Sequence, residues 1–336
     1  MKRALRNFFI LAAGSAMIAA CGGGSSDDSG GLTGGTPTAE SATITVENAP
    51  LIAGTVAEVA MGEGIFSSVF TPTLPIGSIG ADVAVSPVMK SVFSAAMKTA
   101  NPSQLYATVS GQEPCVVSGT VDVTIDISNP EQPSVNDTFV FEFTNCDDGS
   151  GAVVNGGMTI TISSLGGDVA SGNFLLGMQI RFSAYAVTEG GETTTAEGSI
   201  SIEIDTRDPL VTTITVSTSA LVTTSAGTEE VLTNLTVRIT EDASMFPVAV
   251  TVETSFTISS PRIGGSVTVT TSLSLQSSGS EFPFEGELRI EGADGAVIVL
   301  IALDANTVRL QIDIDGDGAY DETLDITWDE LMAAAG

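Results

Sequence analysis

Between Asp313 and Asp321 the chain reads Asp-Ile-Asp-Gly-Asp-Gly-Ala-Tyr-Asp, and this run is where its residue types come closest to doing chemistry. Asp313, Asp315 and Asp317, at every second position, bring hard carboxylate oxygens to one side of a tight loop. Gly318 permits the sharp turn, the carbonyl of Ala319 adds a neutral oxygen, and Asp321 adds a further carboxylate or a group that holds a water. Those requirements belong to calcium and not to a soft metal. Asp313, Asp315, Asp317, Ala319 and Asp321 are therefore expected to bind one structural calcium ion. Val308, Leu310 and Ile312 precede the loop and Leu324, Ile326 and Trp328 follow it, so it should join two strands.

Other chemistry is hard to build from this composition. The chain has no histidine, which removes the usual general base, the Ser-His and Cys-His nucleophiles, and imidazole-bound metals. A Gly-x-Ser-x-Gly elbow is absent, and Lys90 and Lys98, the lysines that could activate a serine, both fall in an expected helix. Aromatic residues make up 5% of the chain, too few for the platforms of a polysaccharide site. No catalysis is expected. Asp147 and Asp148 form a second acidic turn without the alternating spacing, which reads as solvated charge. The basic residues beyond the N-terminus are scattered, so no nucleic-acid partner is expected.

The aspartate run matches the EF-hand loop through its first six positions but has Leu324 where the twelfth-position Glu should be. With β patterns on both sides it resembles more closely the short Asp-x-Asp-x-Asp-Gly-x-x-Asp calcium loops that connect strands in integrin-type propellers and other extracellular β proteins. That resemblance covers this hairpin alone. It implies an ion, not a propeller or an adhesive role.

At the other end, Lys2, Arg3 and Arg6 precede an apolar run from Phe8 to Ala20 that is too short to span a bilayer, the pattern of a cleaved export signal. Its close, Ile18-Ala19-Ala20-Cys21, resembles the lipobox of bacterial lipoproteins. The resemblance implies cleavage before Cys21, acyl chains such as palmitate on that residue, and membrane attachment through it. Gly22 in the next position implies sorting to the outer membrane, facing the periplasm or the surface. With Cys21 carrying lipid, Cys115 and Cys146 are left together in an oxidising compartment and are expected to form a disulfide. The formal charge of -30 repels anionic headgroups, so attachment falls to the lipid and not to the protein face.

These sites need elements to hold them. Residues 1–20 are read as the signal peptide, 21–40 as a flexible Gly/Ser/Thr tether, 41–110 as a helical N-terminal segment and 111–336 as an antiparallel β domain. Within 41–110, Thr43 to Val46 reads as a short strand. One helix begins after Asn48, with Pro50 in its first turn and Ile52, Val56 and Val59 on one face. A second runs from Ser86 to Ala100, and the Pro- and Gly-rich stretch from Phe66 to Gly80 should be the loop between them.

From Gly119 onward the period is two, as in Val121, Val123, Ile125 and Ile127, or in Phe174 to Phe182 continued by Ala184 and Ala186. About a dozen strands are expected, as hairpins of a shorter and a longer strand, with starts near Gly157, Gly198, Asn234 and Ser266 loosely repeated. One strand face is Val, Ile, Leu and Phe, the other Thr and Ser. The expected fold is mainly β, a large antiparallel meander, curled or sandwich-like, with one or two N-terminal helices packed on its apolar face. A membrane barrel would show the same alternation, but one Trp and three Tyr make no interfacial girdles. The expected function is structural or interactive, that of a lipid-anchored envelope protein with a calcium-stabilised β domain and an unidentified protein partner. The alternative is a carrier of lipid or another apolar small molecule.

Overall fold

A computed structural model describes residues 40–61, 107–128, 134–147, 149, 151–168, 172–278 and 282–335. The signal, Cys21, the tether up to residue 39 and the expected Ser86–Ala100 helix lie outside the described residues. The described chain is mainly β. Fourteen strands form one antiparallel sheet in which every strand pairs with its neighbour in sequence, an uninterrupted meander. They are β1 (Ala107–Pro114), β2 (Ser118–Ile127), β3 (Thr138–Asp147), β4 (Ala152–Asp168), β5 (Asn173–Glu189), β6 (Glu192–Asp208), β7 (Val211–Ser225) and β8 (Thr228–Asp242), followed by β9 (Ala249–Ser260), β10 (Gly265–Ser277), β11 (Glu285–Glu291), β12 (Val297–Ala302), β13 (Thr307–Asp313) and β14 (Glu322–Thr327). Two helices complete it, α1 (Ala49–Ala60) and α2 (Trp328–Ala335).

Turn chemistry explains why successive strands reverse. Gly190 and Gly191 both have positive φ between β5 and β6, the two-residue geometry that matches strand twist. Five of the turns are closed by an aspartate that accepts a backbone N–H two residues on: Asp147 from Gly149, Asp208 from Leu210, Asp242 from Ser244, Asp304 from Asn306 and Asp315 from Asp317.

The strands β4 to β8 are 15 to 17 residues long, so the expected alternation of short and long strands is corrected. The reason is a line of β-bulges. Register slips between Ser118 and Thr120 in β2, Phe143 and Cys146 in β3, and Asn155 and Gly157 in β4. It slips again between Phe182 and Tyr185 in β5, Gly198 and Ser201 in β6, and Thr233 and Thr236 in β8. Each slip lies beside the last, so together they form a crease across the sheet.

The same line holds six residues with positive φ: Gly119, Asn145, Gly156, Ala184, Gly198 and Asn234. A Cβ at Gly119 would collide with the Asn145 carbonyl, at Gly156 with that of Ala184, and at Gly198 with that of Ala220. One strand's glycine thus receives the carbonyl that the next strand's bulge pushes out. The loose repeat near Gly157, Gly198 and Asn234 marks this crease and not strand starts.

A bulge adds one residue, so it shifts which positions face inward. In β5 the buried series ends at Phe182 and resumes at Val187, while Ala184 is exposed. The expected continuation through Ala184 and Ala186 is corrected accordingly. In β8 it passes from Leu232 to Leu235 across Asn234. In β10 a slip between Thr271 and Leu273 leaves Leu273 49% exposed and Leu275 buried.

Inward, the dry face is closed by its own side chains, with Phe141, Ile160, Ile200, Leu221, Leu232 and Ile258 almost wholly removed from solvent in one cluster that also holds the α1 residues. Each such side chain contributes about 1.5–3 kcal/mol by burial. Outward, Thr and Ser remain.

Helix α1 begins where expected, after Asn48, but the Asn48 side chain turns backward, accepting from Thr45 N (2.8 Å) and donating to Thr43 O (2.8 Å). It is buried on nearly every side. Gly54, a weak helix former, sits where the Leu331 carbonyl of α2 approaches so closely that no Cβ would fit. Residues Thr43 to Val46 form no strand; only Ser41 makes an isolated bridge, to Ser266.

Trp328, expected in a strand, instead opens α2. Thr327 and Glu330 form a capping box, with Thr327 N donating to Glu330 Oε2 (2.8 Å) and Glu330 N to Thr327 Oγ1 (3.1 Å). The indole is buried, stacks on Phe282 at 5.5 Å, and donates to the carbonyls of Pro283 (3.2 Å) and Asp304 (3.3 Å).

Two outcomes follow. Gly156→Ala should lower stability by about 1–3 kcal/mol in denaturant unfolding, whereas Gly111→Ala, with open space around it, should change it by less than about 0.5 kcal/mol. The Glu330 carboxyl is held below its ordinary value by the backbone N–H of Thr327 and then its hydroxyl. A lowered folded pKa means that the cap's contribution is present above the unfolded value of 4.5 and is lost as pH falls through the folded value. Acid titration of Glu330→Gln should therefore show a smaller loss of stability below pH 4.5 than the parent protein.

Candidate metal centre

The loop joining β13 to β14 is built on Asp313, the last residue of β13. Its carboxylate is buried and accepts from Gly316 N through Oδ1 (2.8 Å) and from Gly318 N through Oδ2 (2.9 Å), drawing the following five residues around it. Gly316 and Gly318 have φ of 72° and 87°. At Gly316 a side chain would also meet the Asp294 carbonyl in the turn between β11 and β12, which braces the loop from outside. Asp315 Oδ1 accepts from Asp317 N (3.2 Å) and Asp317 Oδ1 from Ala319 N (2.7 Å), so each aspartate turns the chain that carries the next.

This winding brings Asp313, Asp315 and Asp317 together, with one carboxylate oxygen from each within 4.8 Å of the others. Asp315 and Asp317 are exposed. Asp321 is not part of that trio; its Oδ2 accepts from Ile314 N (2.8 Å) and its own N–H donates to Ile312 O (2.8 Å), closing the base of the loop. Ala319 is placed by its N–H to Asp317.

A comparison with Asp137 separates local architecture from ion chemistry. Asp137 and Asp313 are the two buried carboxylates among the described residues. Asp137 accepts from Ser128 N (2.8 Å), Ser128 Oγ (2.9 Å) and Ser134 N (2.7 Å), and so locks the β2–β3 connection. Asp313 has two further carboxylates facing it. Like charges this close repel in any medium, and a hard cation would reverse the sign of that interaction. The three form a possible metal-binding group whose all-oxygen donors fit such an ion.

Cys115 and Cys146 form a disulfide with Cα atoms 5.5 Å apart, as expected from their pairing in the sequence. It ties the turn after β1 to β3 beside the crease. Asp147 spends its Oδ1 on Gly149 N (2.8 Å).

Sequence reading passed over Asp137, whose signal is only an Asn-Asp pair after a Pro and Ser stretch. It also passed over a cavity beside α1, whose walls come from five separate elements and the turn after β9. No helix among the described residues is long and apolar enough to cross a membrane. Comparison with protein-family models, curated proteins and solved structures gives no match.

Proposed function

We propose that the chain is a lipid-anchored protein of the bacterial outer membrane whose β domain, stabilised by calcium, has a structural or interaction role without catalysis. The gathering of Asp313, Asp315 and Asp317 about one point is the observation that carries the calcium part. Asp321 completes the ion's surroundings through its free oxygen or a held water, and Ala319 through its carbonyl. The anchor rests on the Ile18-Ala19-Ala20-Cys21 resemblance, and the interaction role on the lack of catalytic groups in the sequence.

In this reading the sheet curls around its dry face, since each bulge of the crease bends its strand and a sheet of this width cannot stay open and flat with one face dry. Helix α1 covers part of that face. The tight filling of the face by Phe141, Ile160, Ile200 and Leu232 favours this role over the carriage of an apolar cargo.

Calorimetric titration of the mature domain should show one calcium site with Kd of about 0.1–1 mM, abolished in Asp315→Asn/Asp317→Asn. Calcium at about one hundred times Kd should add roughly 2.7 kcal/mol, read as a Tm rise of about 5 °C that chelator reverses. Absence of saturable binding would remove calcium from the function. In cells fed labelled palmitate, the parent protein should take up label and fractionate with the outer membrane, and Cys21→Ala should do neither.

A further inference from the structure

A cavity of about 300 Å³ opens between α1 and the ends of β6 to β9, away from the crease. Half of its lining residues carry hydroxyls. Its charged wall is built by Glu230 and Arg262. Glu230 Oε1 accepts from the buried Ser260 hydroxyl (2.8 Å) and lies 3.7 Å from Arg262 Nη1. The Ser260 oxygen also caps the turn that carries Arg262, by accepting Arg262 N. Both charged side chains are thus fixed before anything binds, and both are mostly covered, 16% and 34% exposed. Among the described residues nothing pairs with Glu230 Oε2, with the remaining guanidinium N–H groups, or with the hydroxyls of Thr223 and Thr228. Val59 and Ile258 add an apolar patch.

We infer that this cavity binds a small uncharged polyol, a single sugar or cyclitol, with neighbouring hydroxyls bridging Arg262 and Glu230. A hydroxyl both donates and accepts, so a vicinal pair can satisfy a guanidinium and a carboxylate oxygen together, while the C–H face of the ring lies on Val59 and Ile258. The volume is at the small end for ligand sites and matches one such ring. Glu230 in the lining and the chain's overall negative charge oppose an anion. Arg262 opposes a cation. The site shares no residue with the aspartate loop and stands whether or not that loop takes calcium.

The test is calorimetric titration of the mature disulfide-bonded protein, in calcium and again in chelator, with glucose, galactose, N-acetylglucosamine and myo-inositol, and with phosphate and putrescine as charged probes. At least one polyol should saturate with Kd on the order of 1 mM in both buffers. Glu230→Gln and Arg262→Lys should each weaken it about tenfold or more at unchanged Tm, and Thr257→Ala on the outer face should leave it unaltered. The inference is overturned if no polyol saturates by tens of millimolar, if phosphate or putrescine binds in their place, or if both cavity variants bind as the parent does. Should Arg262→Lys lower Tm, Glu230→Gln alone decides.

Discussion

A sheet with one dry face and one wet face can exist in water only if the dry face is hidden, and here fourteen strands share that constraint. Meander topology makes the problem severe, because no crossover helix is laid down between strands to cover them as it would be in a parallel sheet. Two helices are all that the described residues offer. The remaining burial must come from the sheet itself, and the crease is where its strands can bend. Each bulge bends its strand and adds local twist, and the bulges stand side by side, so their bends reinforce one another. The glycines opposite them are a steric necessity: the pushed-out carbonyls at Asn145, Ala184 and Ala220 need a neighbour with no Cβ.

Fold class was legible in the sequence because period two is a local signal and the turns announce themselves. Strand extents were harder. A bulge looks in sequence like the end of one alternating run and the start of another, so a strand start was expected near Asn234 although that residue lies within one strand, Thr228–Asp242. Leu273, at an apolar position beside another bulge, is exposed for the same reason. The capping box Thr327-Trp328-Asp329-Glu330 was present as a motif but hidden by the strand pattern leading into it. The aspartate loop was legible because all its ligating groups lie within nine residues. The cavity was not, since Val59, Thr223, Glu230 and Arg262, which line it together, lie far apart in the chain.

Helix α2 shows how one residue can fix several elements at once. The Trp328 indole nitrogen reaches carbonyls in the β10–β11 and β12–β13 connections, its ring covers Phe282, and its backbone N–H donates to Asn306 O (3.0 Å). That anchors the start of the helix, and the approach of Leu331 to Gly54 then fixes its course against α1. The price of Gly54 in helix propensity, about 1 kcal/mol relative to Ala, is offset by a contact that Ala could not make.

The chain's acidity takes on a different meaning once the turns are known. A net charge of -30 invites a reading in terms of divalent ions or charged partners. Many of the aspartates, however, stand at turns where a short carboxylate accepts a backbone N–H that the sheet leaves unpaired. In such a position the charged form is favoured. Hydrogen bonds from the Arg207 side chain and backbone hold Asp205 down to about 2, those from the Ser244 hydroxyl and backbone lower Asp242, and those from the Asn306 and Thr307 backbone lower Asp304. Because folding lowers these values, their support for the turns is complete above the unfolded value of 3.8 and fades as pH falls through the folded ones. Acidity spread over the turns is thus a consequence of how a meander of this length closes its hairpins, and carries no information about ligands. What sets Asp313, Asp315 and Asp317 apart is convergence: three aspartates serve one turn, and one carboxylate oxygen from each lies within 4.8 Å of the others. Among the described residues it is there that the geometry leaves a repulsion for a cation to relieve.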